Sequence, residues 1–272
     1  MHPLRSLLKT PGFTAVAVLT MAIGIGANTA LFSVFDRLIL RPVSVPQPDR
    51  LVALWVNNAA LNFNAPALSW PRFEEIRRHA TSFSSVADSA FDNFTLTGRG
   101  DPEQLNGLRV TADFFATLGV RPLLGRGFVQ DDDKPNGPNV CLLSHELWQT
   151  RFGGDPEVVG STIQLNGLSW QVIGILPPHL TNPFGQVQVF APRVFEITGL
   201  TAVQVQNGAG YTQPIARLKP GVTLEQATSE LAALSQAYAK EFPARLDANG
   251  VAIPRGYVEA LVGQLRPTFY TL

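Results

Sequence analysis

Between Phe13 and Phe35 the chain runs for 23 residues, FTAVAVLTMAIGIGANTALFSVF, without one charged side chain. At 1.5 Å of rise per residue a helix of that length reaches about 34 Å, enough for a hydrocarbon core of ~30 Å. The run predicts a transmembrane helix at 13–35, preceded by a cytoplasmic N-terminus at 1–12 and followed by a juxtamembrane segment at 36–49. Arg5 and Lys9 lie before it and Asp36, Arg37 and Arg41 after it, so charge brackets both ends without fixing the orientation. A cleaved signal peptide would share the basic start, but its apolar stretch is normally ~7–15 residues and a small-x-small cleavage site follows it; here the run is longer and no such site follows. A buried soluble helix is the other alternative to a span. Within the run Ala22, Gly26 and Ala30 recur at i, i+4 and i+8, with Gly24 beside them. Small residues at that spacing form a groove where a second helix can approach closely, which makes these four the candidate helix-packing site.

Charge and cysteine usage remove several function classes. Lys+Arg and Asp+Glu both number 21 in 272 residues and charged residues make up 15%, so no basic surface for nucleic acid is expected. Cys141 is the single cysteine and His2, His79, His145 and His179 are scattered, which excludes an intrachain disulfide and gives no metal-ligand spacing. Gly24-Ile25-Gly26 opens a dinucleotide-like pattern, but Thr29 stands at the third glycine position and the segment sits inside the apolar run. The phosphate loop G-x-x-x-x-G-K-[ST] is missing, so any ATP hydrolysis belongs to another chain. Ser144-His145-Glu146 places three catalytic residue types side by side, yet neighbours on a helix do not face one another, and Ser144 reads as a helix cap. Asp131-Asp132-Asp133 lacks the alternation of a calcium loop and reads as a solvated acidic loop. Cys141 and Trp55, Trp70, Trp148 and Trp170 read as core. No catalytic, cofactor-binding or metal residue is expected.

The polar remainder reads as an α+β domain. Arg50–Val56 (RLVALWV) suits a buried strand, and Trp70-Pro71 after Ser69 opens a helix. Ser84–Thr97 and Glu103–Val110 flank the turn Gly98–Pro102, and Asp113–Leu118 is a short helix stopped by Gly119. After Pro122 the texture turns loop-rich. Asn139–Leu143 is a strand, His145–Phe152 a helix, and Thr162–Leu165 with Ser169–Leu176 form a hairpin about Asn166-Gly167, the dipeptide of a type I′ turn. Pro214–Leu218 is a strand. Thr223 with Gln226 forms a capping box ahead of a helix at 224–239. Its stripe Leu224, Ala227, Leu231, Leu234 and Tyr238 needs a sheet beneath it, with Glu225, Glu230 and Gln236 facing water. Val258–Val262 would close the sheet. Leu-Asn-Gly-Leu occurs at 105–108 and 165–168, too short a match to make an internal repeat.

The order of these pieces resembles the MacB-like periplasmic core domain of bacterial ABC transporter permeases, the duplicated orphan type related to the FtsX group. The carriers are Pro11–Ala15 leading into GIGANTALFSV, Leu40-Arg41-Pro42, Pro48–Val52, Asp113-Phe114-Phe115, Leu118–Pro122, Gly125-Arg126, LSHELWQTRFGGDPEVVG and Leu165-Asn166-Gly167. The resemblance implies a permease of the bacterial inner membrane whose N-terminus is cytoplasmic and whose bulk is periplasmic. A separate ABC ATPase subunit would drive it, and other permease transmembrane helices or a second permease copy would pack on its span in the lipid bilayer. It also implies a two-lobed domain over 50–265, lobe one from 50–121 and 206–265 and an inserted lobe from 122–205, with 266–272 starting a second span missing here. On that reading the chain is a permease truncated after its first periplasmic domain, coupling ATP hydrolysis elsewhere to movement of the domain. The alternative is a single-pass anchored binding or scaffold module acting without ATP.

Overall fold

The alternation along LVALWVNN decides what lies on each side of the first sheet in this computed structural model. Val52, Leu54 and Val56 point to one buried face, whereas Leu51 and Ala53 point to the other. The structure describes residues 45–98, 100–178 and 187–260, with Gly12, 19–22 and 24–26 before them. The chain divides into two units, Met1–Pro42 and Val43–Leu272. In the first, residues 19–22 and 24–26 are helical and Leu19, Met21 and Ile25 are exposed. Among the described residues no helix is long and apolar enough to cross a membrane. Most of the predicted span, Ala30, the segment up to Ser44 and residues 261–272 lie outside the described residues.

In the second unit the chain forms β1 (Leu51–Asn58), β2 (Phe63–Ala65), β3 (Leu68–Ser69), α1 (Trp70–His79), β4 (Phe83–Ala87), β5 (Ser89–Thr97), β6 (Glu103–Val110) and α2 (Phe114–Leu118). It continues through β7 (Leu124–Gly125), β8 (Val140–Leu143), α3 (His145–Phe152), β9 (Thr162–Leu165), β10 (Leu168–Ile175) and β11 (Val189–Ala191). The last elements are α4 (Ala202–Gln206), β12 (Gly210–Thr212), β13 (Ile215–Leu218), α5 (Leu224–Glu241) and β14 (Val251–Gly256). One sheet has the order β14-β1-β13-β4 with β2 beside β1; a second has the order β7-β10-β8-β11-β6-β5-β9; β12 pairs with β3. The first is antiparallel throughout, while the second is mixed, with β10 parallel to β8 and β11 parallel to β6.

Three cores follow from this layering. Helices α1 and α5 cover one face of the first sheet, burying Phe73, Ile76, Ala227 and Leu231 against Val52, Leu54 and Val56. The other face, through Leu51, Ala87 and Ile215, shares a core with Leu108, Val110, Leu142 and Phe190 of the second sheet and Phe114, Phe115 and Leu118 of α2. The far face of the second sheet packs Leu143, Ile163, Leu165 and Val172 under Leu147, Trp148 and Phe152 of α3. Strands buried on both faces read as continuous apolar runs, which is why RLVALWV and VCLL carry so little polar alternation.

Local signals fall where the sequence put them. Ser69 accepts the Arg72 amide and Ser144 the Leu147 amide, and the Thr223/Gln226 capping box is complete. Asn166 and Gly167 both have positive φ, as a type I′ turn requires, and Asn166 Oδ1 also accepts the Thr95 amide of β5 at 2.7 Å.

The structure departs from several of these expectations. Ser84–Thr97 does not stay in one sheet: it breaks at Asp88, with β4 in the first sheet and β5 in the second. β5 and β6 therefore leave the expected first lobe, because Glu103–Val110 pairs along its length with β5 and in parallel with β11. The loop-rich texture after Pro122 marks turns within the second sheet's chain path, and the change of sheet lies at Asp88. The closing strand is Val251–Gly256, with Tyr257–Ala260 helical; Pro254 is tolerated because β14 is an edge strand. Glu230 does not simply face water. It accepts the Thr81 amide and hydroxyl, both at 2.6 Å, and the Ser82 amide at 2.9 Å, so α5 holds the loop between α1 and β4.

Candidate functional site

The structure places Ala22, Gly24 and Gly26 in helical turns. A Cβ added at Gly24 or Gly26 would meet no described atom within 4 Å, and Ala30 is outside the described residues.

What the fold does assemble is a clamp on Val45–Arg50, the segment by which the chain arrives from its apolar run. Val45 is buried in the core shared by the two sheets. Arg217 of β13 donates from Nη1 to the Pro46 and Gln47 carbonyls at 3.0 and 3.2 Å, and from Nε and Nη2 to the Thr117 carbonyl of α2 at 3.0 and 2.8 Å. Arg50 donates from Nε and Nη2 to the Leu218 carbonyl at 3.0 and 2.7 Å. Burial, with Arg50 nearby, lowers the Arg217 pKa. Gly119 completes the clamp. It ends α2 with φ of 77°, and a Cβ there would come within 2.9 Å of the Pro46 ring. One guanidinium therefore ties the arriving segment, the first sheet and α2 together.

Asp88 sits at the point where the chain passes from the first sheet to the second. It is wholly buried. Its amide donates to Thr111 Oγ1 at 2.9 Å, its carbonyl accepts the Thr111 amide at 3.0 Å, and Oδ1 accepts the Ser89 amide at 2.8 Å. Ser89 Oγ in turn donates to the Gln213 carbonyl, so three segments converge there. Burial holds the Asp88 carboxyl well above the ordinary carboxylate value of 3.8, although the Ser89 amide favours the anion. The folded chain then keeps this proton to a higher pH than the unfolded chain, so this group makes stability fall as pH rises above 3.8 toward the folded value. Asp88→Asn removes the titration. Its unfolding midpoint should exceed that of the unsubstituted chain at pH 8 and the gap should close toward pH 4. A gap independent of pH in thermal unfolding would show that ionisation of Asp88 is not the cause.

The motifs that suggested chemistry have structural partners. Ser144 caps α3, and Cys141 is fully buried, which pushes its thiol pKa up. The acidic run is a latch and not the solvated loop its composition suggested. Asp132 accepts from Arg126 at 2.7 Å and from the Val129 amide, Asp133 accepts the Ala112 and Arg193 amides at 3.0 and 2.8 Å, and only Asp131, paired with Lys134, stays at the surface. Burial raises the Asp133 pKa. Among the described residues no group of three or more His, Cys, Asp or Glu could hold a metal ion.

Sequence reasoning missed three arginine clusters. Arg217 lies in the strand IARL, Arg72 on the buried side of α1, and Arg109 at the end of β6. An arginine among apolar residues was the available signal. Its partners were not visible, because Arg72 pairs with Asp247 at 3.1 Å across 175 positions and Arg217 reaches Pro46 across 171.

Two layered sheets, a clamped segment at Val45–Arg50 and acids and arginines spent on internal contacts describe a mixed α/β domain. The chain belongs to the family of the MacB-like periplasmic core domain, whose family model matches residues 14–234. Solved structures share the fold. A domain assigned to a permease protein of Porphyromonas gingivalis superposes with a TM-score of 0.57 at 18% identity, covering 79% of this chain and 93% of that one. The periplasmic region of MacB from Actinobacillus actinomycetemcomitans gives 0.56 at 12% identity, covering 84% and 95%. The extracellular domain of the noncanonic ABC-type transporter YknZ from Gram-positive bacteria gives 0.53 at 13% identity, covering 75% and 99%. Among curated proteins none matches the chain.

Proposed function

We propose that this chain is the extracytoplasmic transmission part of an ABC-type permease, moved by ATP hydrolysis on a separate subunit. The observation that carries the reading is the clamp. Arg217, Arg50 and Gly119 fix Val45–Arg50 to the first sheet and to α2, so displacement of Val45–Arg50 is delivered to both. The family membership supports the same reading. In it Phe13–Phe35 spans the bacterial inner membrane with the N-terminus in the cytoplasm, and the domain itself performs no covalent chemistry.

Affinity purification of the full chain from its native membranes, followed by peptide mass spectrometry, tests the coupling. A nucleotide-binding subunit should be recovered in near-stoichiometric amount. Recovery of the chain with no such subunit would overturn the ATP-coupled reading in favour of an anchored binding module.

The partners within the membrane are other permease helices or a second permease copy, seated on Ala22, Gly24, Gly26 and Ala30. Gly26→Leu puts a bulky side chain where the backbones would approach. Its expected effect is a reduction of several-fold in crosslinking to co-expressed permease segments. An unchanged yield would mean that the stripe faces lipid.

A further inference from the structure

The strand β2 pairs with β1 alone, and the alternation of an antiparallel ladder shows which of its backbone groups are left over. The Ala252 amide of β14 donates to Ser235 Oγ of α5, so it points away from β1. Val56, opposite Ala252, therefore turns its own N–H and C=O to the other side of β1, where β2 lies. Leu54, in phase with Val56, has the same sense, its amide donating to the Pro214 carbonyl at 2.9 Å. Val56–Ala65 and Asn58–Phe63 are then the hydrogen-bonded pairs, and the N–H and C=O of Asn64 point outward along an open edge. Among the described residues they have no partner, and Asn64 is exposed. The β14 edge of the same sheet is closed by Pro254 and by the bond to Ser235, whereas β2 carries no charge to guard it. Pro66 limits the open edge to a short stretch.

Beside this edge lies a cavity of about 250 Å³, bounded by β1, β2 and the loop 246–250. Val56, Asn58 and Phe63, which share one face of the β1–β2 pair, line it. Its rim is apolar, with Leu61 72%, Phe63 42% and Leu246 74% exposed. Arg72 and Asp247 are the charged residues of the lining and pair with each other at 3.1 Å, and from Val56 to Leu68 the chain carries no charged side chain. A charged occupant would meet no free countercharge there, so the complement of this surface is uncharged. An apolar cavity of about 150 Å³ admits benzene, so this one has room for a leucine- or phenylalanine-sized body.

We propose that edge and cavity together bind an extended, uncharged peptide segment by strand addition. Its backbone bonds to the Asn64 N–H and C=O, and a bulky apolar side chain next to the bonded residue enters the cavity. The two parts fit because side chains alternate along a strand. The peptide residue bonded to Asn64 shares the face of Asn64, and its neighbours share the face of Phe63, on which the cavity lies. Main-chain bonds supply affinity and the cavity selects the side chain. The site stands apart from any coupling to ATP.

The probe is the peptide acetyl-Ser-Leu-Thr-Leu-Ser-amide, titrated into the full chain in lipid nanodiscs and followed by ligand-observed saturation-transfer NMR. Saturable binding is expected. Methylating the amide nitrogen of the central threonine removes the donor to the Asn64 carbonyl and should weaken binding about fivefold. Replacing both leucines by serine should weaken it more than about tenfold. Asn64→Pro deletes the outward N–H without touching the ladder to β1, a change that an edge strand tolerates, and should weaken binding to a similar degree as the methyl group. Leu246→Ser, at an exposed position, should weaken binding and leave the unfolding midpoint unchanged. The methylated peptide tests the same edge on the unsubstituted chain, so the outcome does not hang on how Asn64→Pro folds. Absence of saturation at several millimolar peptide, or equal affinity for the methylated peptide, would overturn strand addition. Octanamide bound as tightly as the peptide would overturn it too and assign the cavity to an acyl chain.

Discussion

Arg109→Met should lower the unfolding free energy by roughly 3–5 kcal/mol, among the largest effects of any single substitution in the domain. Arg109 Nε lies 2.7 Å from Asp92 Oδ2, and their side chains are 8% and 1% exposed. Nη1 also donates to the Pro192 carbonyl at 3.1 Å, which joins β6 to the segment after β11. Removing the guanidinium leaves the Asp92 carboxylate in the second sheet with, among the described residues, the Asn93 amide at 2.9 Å to oppose its desolvation. The double variant Asp92→Leu/Arg109→Met should recover most of the loss, since replacing both charges by apolar groups removes the uncompensated one. Urea unfolding followed by tryptophan fluorescence measures both. A loss of about 1 kcal/mol or less for Arg109→Met would place the pair in the range of exposed ion pairs and show that water reaches it.

Leu231→Ala should cost about 2–5 kcal/mol. Leu231 is wholly buried in the core where α5 meets Val52, Leu54, Phe73 and Ile76, between sheet and helix layers that secondary structure holds apart. The neighbourhood therefore cannot collapse into the space of the missing side chain, and the cavity adds to the lost transfer free energy. Leu234, one turn on and only half-buried, is the internal comparison, and Leu234→Ala should cost clearly less. Equal costs at the two positions would mean that the stripe on α5 is not seated on the first sheet as described.

Both predictions depend on which strands share a sheet, and there the sequence was legible only in part. The starts of α1, α3 and α5, the Asn166-Gly167 turn and the stop at Gly119 were read correctly because each is set by residues within four positions of one another. The break at Asp88 was not. Ser84–Thr97 reads as one stretch, and neither of its two aspartates, Asp88 and Asp92, gives a hint that the chain changes sheets. Val251–Gly256 carries Pro254, which argues against a strand everywhere but at an edge, and β14 is an edge.

The candidate sites divide in the same way. The small residues Ala22, Gly24, Gly26 and Ala30 are a pattern of spacing, readable without coordinates. The clamp and the cavity are not patterns at all. Arg217 is one arginine in a short strand until Pro46 and Thr117 are placed beside it, and Phe63 and Leu246 border one cavity only when the loop 246–250 lies beside β1.

By itself the sequence determined the charge-free run, the near-neutral composition, the caps, the hairpin and the resemblance to a permease domain, because composition and periodicity act over a few residues at a time. The tertiary structure alone decided that β5 and β6 join the second sheet, that Arg72 meets Asp247 and that Arg217 holds the arriving segment. The entropy of closing a chain loop grows only slowly with its length, so a partner 171 or 175 positions away costs little more than one much nearer. Sequence separation therefore carries almost no information about such pairs, and the choice among them falls to packing.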